Sequence, residues 1–209
     1  QPRLVLADIG ALGTLPPRDL RAGYAEVVKY GLINDADFFT WLETNGPRII
    51  STPDEADMQA RRHAVLTSCR SKAAIVSADE TEQGVRALLN LGHTFAHAFE
   101  AESGYGGDLL HGEAVSIGMG LAFRLSARLG YCDPGDAARV TTHLKALGLP
   151  TQAADLPAPA RRRDALIEHM SRDKKMKDGR LNLILARGIG QAFVTADVPP
   201  SDISSLLDE

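Results

Sequence analysis

One apolar segment near the middle of this chain decides its fold, and it reads HGEAVSIGMGLAFRL over residues 111–125. Its apolar residues fall on nearly every side of a 3.6-residue period, which predicts a buried helix. Gly130 follows and predicts the end of that helix. A helix buried on all sides must be surrounded by other elements, so the segment predicts a multihelical array around it.

Helical patterns fill most of the remaining chain. They predict helices from Pro17 to about Ile33, through residues 38–41, from the capping box at 52–55 to about Val76, from Asn90 to about Glu102, from residues 133–134 to about Gly148, and over residues 161–170. Residues 181–185 and 191–195 predict the two strands of a hairpin. We therefore expect a mainly α fold, with one helical domain over residues 1–209 and a small β-hairpin.

Composition excludes several classes of protein. The chain has 209 residues, of which 44% are hydrophobic and 24% charged, and this balance is typical of a globular protein with a sizeable core. The net charge of -4 provides no basic field, so we expect no nucleic acid and no membrane partner. No apolar run approaches the roughly 20 residues of a membrane span. Two cysteines, Cys69 and Cys132, indicate a reducing, cytoplasmic setting.

The first ten residues are unusual. The chain begins without Met, and Leu4–Ala7 predicts a short buried strand that has no partner strand before about residue 181. We expect residues 1–10 to be a strand left over from a missing N-terminal domain, and the chain to be a fragment.

Histidines are concentrated between residues 93 and 111. His93 and His97 are four residues apart on a predicted helix, so they share a face and could share a metal, with Glu100 on the same face. His111 opens the next helix, where the positive end of the helix dipole favours a neutral, metal-binding imidazole. Chance surface or core histidines, and a turn residue at 111, are the alternatives. His63, His143 and His169 have no matching partners, and we interpret them as structural.

Charged residues elsewhere have ordinary explanations by default. Glu26 lies among apolar neighbours and needs a cation, a metal or a proton, although a Glu26–Lys29 helix pair would also account for it. Single cations along the chain are usually solvated surface charges. Spacing alone therefore predicts a two-histidine metal site and no particular reaction.

Several motifs together resemble a known family. They are LPPRDL at 15–20, GYAEVVKYG at 23–31, RALLNLGHTFAH at 86–97, LHGEAV at 110–115 and DKK at 173–175. Their order and spacing are similar to those of 3-dehydroquinate synthase, and specifically to its C-terminal, multihelical domain. The N-terminal half of that enzyme is a Rossmann-like, NAD-binding domain, which we expect to be missing from this fragment.

The resemblance implies a role for individual residues. Glu26, His93 and His111 would bind a divalent metal, Zn or Co. Of the two histidines predicted above to share a metal, only His93 would then be a ligand. His97 would face the substrate phosphate and take part in proton transfer. The family pattern implies further catalytic roles for Glu82, Lys29 and Lys72. It also implies substrate contacts from Lys29, Lys72, Arg86, Leu89, Asn90 and one of Lys174 and Lys175. The segment that reaches the NAD would consist of Ala11, Leu12, Gly13 and Thr14.

The implied reaction converts 3-deoxy-D-arabino-heptulosonate 7-phosphate to 3-dehydroquinate and phosphate, a carbon–oxygen lyase step of the shikimate pathway. The intact enzyme would use NAD and a metal and form a homodimer in the cytoplasm, whereas this fragment alone would bind metal weakly and be inactive. Position 22, often Asn in the family, is Ala here. This departure affects the expectation of one cofactor-side hydrogen bond and leaves the expected metal site unchanged.

Three alternatives remain open at the sequence level. A sugar-phosphate cyclase that forms a valiolone or an inosose would share the fold and the metal residues. A metal-dependent polyol or glycerol dehydrogenase would share the two-domain plan but normally lacks the phosphate-binding set. A noncatalytic helical domain could retain the motifs by descent, and its metal content would distinguish it.

Overall fold

The computed structural model describes residues 4–51, 57–81, 84–104, 107–156, 162–172, 176–177 and 180–208. Its helices are α1 (Pro17–Asn34), α2 (Ala36–Ile50), α3 (Met58–Ala78), α4 (His93–Glu102), α5 (His111–Arg128), α6 (Pro134–Ala146), α7 (Arg163–Arg172) and α8 (Pro200–Leu207). Its strands are β1 (Met176–Lys177), β2 (Arg180–Leu181), β3 (Leu183–Ala186) and β4 (Ala192–Thr195). Short 3-10 helices lie at Ile9–Thr14, Val85–Asn90 and Ala153–Asp155.

Helix α5 is the centre of the fold, as its apolar sequence predicts. Its side chains are buried except at its two ends and at positions 113, 124 and 127. The elements α1, α4, α6, α8 and β3 all pack against it. Removal of this much apolar surface from water is the main source of stability in such an array. The prediction of a mainly α fold around a buried central helix is confirmed.

Aspartates cap several of the helices. The Asp35 side chain accepts a hydrogen bond from the Phe38 N–H and so caps α2. Asp57 accepts from two backbone N–H groups at the start of α3, and Asp133 precedes Pro134 at the first position of α6. These bonds satisfy donors that a helix leaves unpaired at its N-terminus. The predicted start of α6 is confirmed.

The hairpin near the C-terminus covers one side of α5. β3 and β4 are antiparallel, with Leu183 opposite Thr195 and Ala186 opposite Ala192. All four side chains of β3 are buried. The Ser126 hydroxyl donates to the Ala122 carbonyl and accepts from the Ala186 N–H, which fixes the end of β3 to α5. The predicted hairpin is confirmed, although Leu181 belongs to the separate two-residue pair β1–β2.

Four local predictions need correction. Residues 4–8 form no strand, and Leu4, Val5 and Leu6 are 80%, 70% and 90% exposed. The buried strand predicted over Leu4–Ala7 is wrong for the chain as described, because a strand requires a neighbouring backbone and no described strand pairs with it.

The other three corrections concern helix ends. Helix α4 begins after Gly92, which has a φ of 80°, so Asn90 is the last residue of a 3-10 helix and not the cap. Helix α3 begins at Met58 with Asp57 as its cap; the predicted capping box at 52–55 lies outside the described residues. Helix α2 continues through Pro47 to Ile50, because the burial of Leu42 and Ile49 outweighs the missing proline hydrogen bond.

Within the described ranges, no helix is both long enough and apolar enough to cross a membrane.

Candidate metal centre

Three predicted metal ligands from three helices meet at one point. Glu26 lies in the middle of α1, His93 is the first residue of α4, and His111 is the first residue of α5. One ligand atom from each lies within 4.8 Å of the others. Glu26 Oε1 is 3.6 Å from His93 Nε2 and 3.8 Å from His111 Nε2. The structure therefore brings together the three residues that the family resemblance implies.

Two glycines on α5 allow this convergence. A Cβ atom at Gly112 would lie 1.9 Å from the Ala22 carbonyl oxygen, so α1 crosses α5 in backbone contact one turn before Glu26. A Cβ atom at Gly118 would lie 2.1 Å from the Gly92 carbonyl oxygen. Gly92, at its positive φ, directly precedes His93. Close backbone approach of this kind requires glycine, and it places all three ligands beside α5.

The Glu26 carboxylate has one paired and one unpaired oxygen. Oε2 accepts a 2.6 Å ion pair from Lys29 Nζ. Oε1 is buried and has no hydrogen-bond partner among the described residues. Burial raises the pKa of Glu26, but the charge and the hydrogen bond of Lys29, with smaller contributions from His93 and His111, outweigh burial and hold its pKa below the ordinary value. An ionised carboxylate with a free buried oxygen needs a further partner, and a metal ion is suited to that position.

The two imidazoles make their Nδ1 contacts with different groups. Burial, together with the charge of Lys29, lowers the pKa of His93 to about 4. Its Nδ1 lies 3.1 Å from the Leu91 carbonyl oxygen, which can only accept a hydrogen bond. His111 Nδ1 lies 3.0 Å from Glu100 Oε1. Both Nδ1 atoms thus face hydrogen-bond acceptors, and both Nε2 atoms face Glu26 Oε1.

The donor set fits a catalytic divalent metal. Two imidazole nitrogens and one carboxylate oxygen form the three-ligand set of many catalytic zinc sites, which keep coordination positions open for substrate or water. Ligand atoms of a tetrahedral zinc site lie about 3.3 Å apart for bonds of 2.0–2.1 Å. The observed separations of 3.6 and 3.8 Å from Glu26 Oε1 reach that value with small side-chain movements.

Three of the predicted substrate-side residues, His97, Lys29 and Lys72, differ in their exposure to solvent. The His97 ring is exposed, and its centroid lies 5.7 Å from that of His93 and 6.4 Å from that of His111. Lys29 is 4% exposed. Burial lowers the pKa of Lys29 and the nearby Lys72 charge lowers it further, while Glu26 raises it. Lys72 on α3 is exposed. These residues place cationic and imidazole groups beside the three ligands.

Other predicted residues lie on the connecting 3-10 helices. Arg86, Leu89 and Asn90 belong to Val85–Asn90, which packs against α1 and α3. The Arg86 guanidinium donates to the Glu80 carbonyl at 2.7 Å. The NAD-side residues Ala11, Leu12, Gly13 and Thr14 belong to Ile9–Thr14, which packs against α3. Glu82, Lys174 and Lys175 lie outside the described residues.

The structure also shows positions that the sequence argument assigned differently or did not single out. Glu100 shares the α4 face of His93 and His97 as predicted, but it contacts His111 and is not part of the three-ligand group. Gly112 was not predicted to position the centre; its signal is its place directly after His111. Among the histidines interpreted as structural, His143 is buried with Nε2 3.0 Å from the Tyr24 hydroxyl, as a core residue should be.

Comparison with known proteins identifies the family. Residues 23–176 match the family model described as 3-dehydroquinate synthase C-terminal. The chain is 56% identical over 209 residues to a 3-dehydroquinate synthase of Cereibacter sphaeroides and 57% identical over 209 residues to one of Ruegeria pomeroyi. All of this chain is covered in both alignments, but only 55% of each relative. The chain thus spans about half the length of the curated relatives it matches.

Solved structures of related cyclases share the fold. A 2-epi-5-epi-valiolone synthase from Streptomyces hygroscopicus, with NAD+ and Zn2+ bound, superposes with a TM-score of 0.83 at 30% identity, over 96% of this chain and 53% of that chain. A 2-deoxy-scyllo-inosose synthase, complexed with carbaglucose-6-phosphate, NAD+ and Co2+, superposes with a TM-score of 0.79 at 25% identity, over 99% of this chain and 56% of that chain. With the family model matched over residues 23–176, this chain belongs to the 3-dehydroquinate synthase family, as its C-terminal domain.

Proposed function

We propose that this chain is the metal- and substrate-binding part of an enzyme that converts 3-deoxy-D-arabino-heptulosonate 7-phosphate to 3-dehydroquinate and phosphate. The observation that supports this most strongly is the convergence of Glu26, His93 and His111, with the Glu26 Oε1 atom buried and unpaired. The relatives that align with the entire chain at 56% and 57% identity are named for this reaction.

In this proposal Glu26, His93 and His111 hold a divalent metal such as zinc or cobalt. When bound, the metal would supply Lewis-acid polarisation of substrate hydroxyl oxygens, and NAD, held mainly by a separate N-terminal domain, would supply redox chemistry. The valiolone synthase and the inosose synthase that share the fold contain NAD+ together with Zn2+ and with Co2+, respectively.

The chain's own side chains would bind and orient an anionic substrate. The buried Lys29 and the nearby Lys72 provide positive charge beside the ligand group. Arg86 and one of Lys174 and Lys175 are proposed to add further positive charge, and Asn90 a neutral hydrogen-bonding group. A phosphate and a carboxylate are recognised best by such charge-assisted hydrogen bonds. Desolvation strengthens these interactions, because Lys29 lies in a site of low dielectric.

Proton transfer is proposed for His97 and Glu82. The exposed His97 ring lies beside both ligand histidines, and in this proposal it exchanges a proton with the substrate phosphate. Glu82 precedes the Val85–Asn90 helix in sequence and is assigned by the family resemblance alone. The homodimeric state of the intact enzyme and its cytoplasmic location belong to the same proposal.

A second candidate is a sugar-phosphate cyclase that forms a valiolone or an inosose. The TM-scores of 0.83 and 0.79 to such enzymes favour it. Sequence identities of 30% and 25% to them, against 56% to a 3-dehydroquinate synthase, favour the first candidate.

The decisive experiment joins this chain to the N-terminal segment of the Cereibacter sphaeroides relative and measures phosphate release with NAD and Zn2+. We expect release from 3-deoxy-D-arabino-heptulosonate 7-phosphate, and loss of release in the Glu26→Gln variant. A joined protein that folds, binds metal and acts only on phosphorylated sugars without a carboxylate would support the second candidate and contradict the first.

A further inference from the structure

Glu100 contacts one of the three ligand histidines on the ring nitrogen that does not face the centre. Its Oε1 lies 3.0 Å from His111 Nδ1, whereas His111 Nε2 lies 3.8 Å from Glu26 Oε1. The two carboxylates therefore lie on different nitrogens of the same imidazole. Nδ1 can therefore form a hydrogen bond with Glu100 while Nε2 remains available for a metal.

An ionised carboxylate can only accept hydrogen bonds, so His111 must donate from Nδ1 to Glu100. A neutral imidazole has one N–H, and donation from Nδ1 leaves the Nε2 lone pair available. A neutral imidazole in water otherwise favours the tautomer with the proton on Nε2, which cannot bind a metal through that atom. The Glu100 contact therefore selects the ligand form of His111.

The other ligand histidine does not depend on a replaceable side chain. The His93 side chain is 11% exposed, and its Nδ1 is paired with the Leu91 backbone carbonyl. The His111 side chain is 48% exposed and lies at the first position of α5, where burial restricts the ring less. The orientation of the His111 ring therefore depends on the Glu100 side chain. The orientation of the His93 ring depends on burial and on a backbone carbonyl.

The position of Glu100 is set by the helix that provides His93. Glu100 lies seven residues after His93 on α4, on the same face, and its side chain is 16% exposed. Helix α4 packs closely on α5, which begins at His111. One face of α4 thus provides a ligand and, two turns later, a hydrogen-bond acceptor for a ligand on the neighbouring helix.

We propose that Glu100 is a positioning residue that holds His111 as the Nδ1–H tautomer and presents its Nε2 to the metal centre. This inference rests on the proposed metal site for its consequence, because the tautomer matters only if His111 is a ligand. Carboxylate–histidine pairs of this kind typically change metal affinity 10- to 100-fold when the carboxylate is removed.

The first test uses the metal-free 209-residue chain and does not involve activity. Ring-nitrogen NMR of 15N-histidine-labelled protein at about pH 8, where a free imidazole is neutral, reports the tautomer directly. We expect the Nδ1–H form for His111 in the unsubstituted chain and a shift toward Nε2–H in Glu100→Ala. Glu100→Gln retains an acceptor without the charge, so it should retain most of the Nδ1–H form.

The second test titrates the same proteins with Zn2+ and Co2+, following the histidine signals and the Co2+ absorption bands. We expect Glu100→Ala to bind either metal about 10- to 100-fold more weakly, with altered Co2+ bands, and Glu100→Gln to lose less. Glu102→Gln is the matched control. It lies on the same helix and removes a carboxylate paired with Arg162 and His169, away from the centre. Its metal affinity should be unchanged.

The outcomes separate this inference from the proposed metal site. Nε2–H at His111 in the unsubstituted chain, or Glu100→Ala with an unchanged tautomer and an unchanged affinity, overturns the role of Glu100. An unsubstituted chain that shows Nδ1–H, loses it in Glu100→Ala, and binds no metal at millimolar concentration contradicts the metal site while leaving the positioning of His111 by Glu100 supported.

Discussion

Replacement of Gly112 by alanine should disrupt the metal centre without touching any of its ligands. The new Cβ would lie 1.9 Å from the Ala22 carbonyl oxygen, 2.4 Å from its carbonyl carbon and 2.7 Å from its Cα atom. All three are backbone atoms, so no side chain can rotate away to relieve the contact. Ordinary van der Waals contact begins at about 3.4 Å, so α1 and α5 must separate locally by about 1.5 Å.

The ligands lie close to this contact. His111 is adjacent to Gly112, and Glu26 is one helical turn after Ala22. A separation of about 1.5 Å would increase the 3.8 Å distance from His111 Nε2 to Glu26 Oε1 to about 5 Å. Metal–ligand bonds of about 2.0–2.2 Å cannot span that gap, so we expect Zn2+ affinity to fall about 100-fold or more. Overpacking should also lower the free energy of unfolding by about 1–3 kcal/mol.

The assay compares Gly112→Ala with Gly23→Ala by urea unfolding and by Zn2+ titration. Gly23 is an exposed helical position on α1 where an added Cβ meets nothing within 4 Å. Alanine there should preserve Zn2+ affinity and raise the free energy of unfolding by about 0.5–1 kcal/mol. Normal Zn2+ affinity and normal stability in Gly112→Ala would refute the claim that backbone contact between α1 and α5 sets the ligand spacing.

Three further predictions concern charge and activity. Glu26→Gln should lower the free energy of unfolding of the metal-free chain by about 1.5–3 kcal/mol in urea titrations, because it leaves the buried Lys29 ammonium without its anionic partner. The double variant with Lys29→Met should recover part of that loss. Burial lowers the pKa of His143 below 6.5. The stabilisation provided by its neutral imidazole should therefore be complete above about pH 6.5 and decrease as the pH falls, because the unfolded chain binds the proton at a higher pH than the folded chain. Urea titrations between pH 5 and 8 should therefore show a weaker pH dependence for His143→Gln, and an identical dependence would disprove the assignment. The 209-residue chain with added NAD should form no 3-dehydroquinate; product detected by mass spectrometry would show that the chain is active alone.

Local sequence signals predicted the helices whose caps and periodicity agree. Helix α5 followed from its apolar residues, and α6 from Asp133 and Pro134. Boundaries failed where a distant contact decides them. Helix α4 begins after Gly92 because that residue contacts Gly118, which lies on another helix. The segment at residues 4–8 has strand-like sequence, but pairing depends on a neighbouring backbone that local sequence does not describe.

The site was predictable only in part for the same reason. Spacing placed His93 and His97 on one face, and their ring centroids do lie 5.7 Å apart. It could not decide which nitrogens converge with Glu26, because that depends on how α1 and α4 cross α5. The family resemblance supplied the ligand set, and the structure brings those three residues together. The contact of Glu100 with His111 required the packing of α4 on α5 and could not be inferred from spacing.

The central claim is that Glu26, His93 and His111 bind one divalent metal. X-ray absorption at the zinc edge tests it most directly, on this chain joined to the N-terminal segment of the Cereibacter sphaeroides relative and loaded with one equivalent of Zn2+. We predict two imidazole nitrogens and one carboxylate oxygen at about 2.0–2.2 Å, with the remaining coordination from water. A shell of oxygen alone would contradict the claim, as would a Zn–S bond of about 2.3 Å to Cys69 or Cys132.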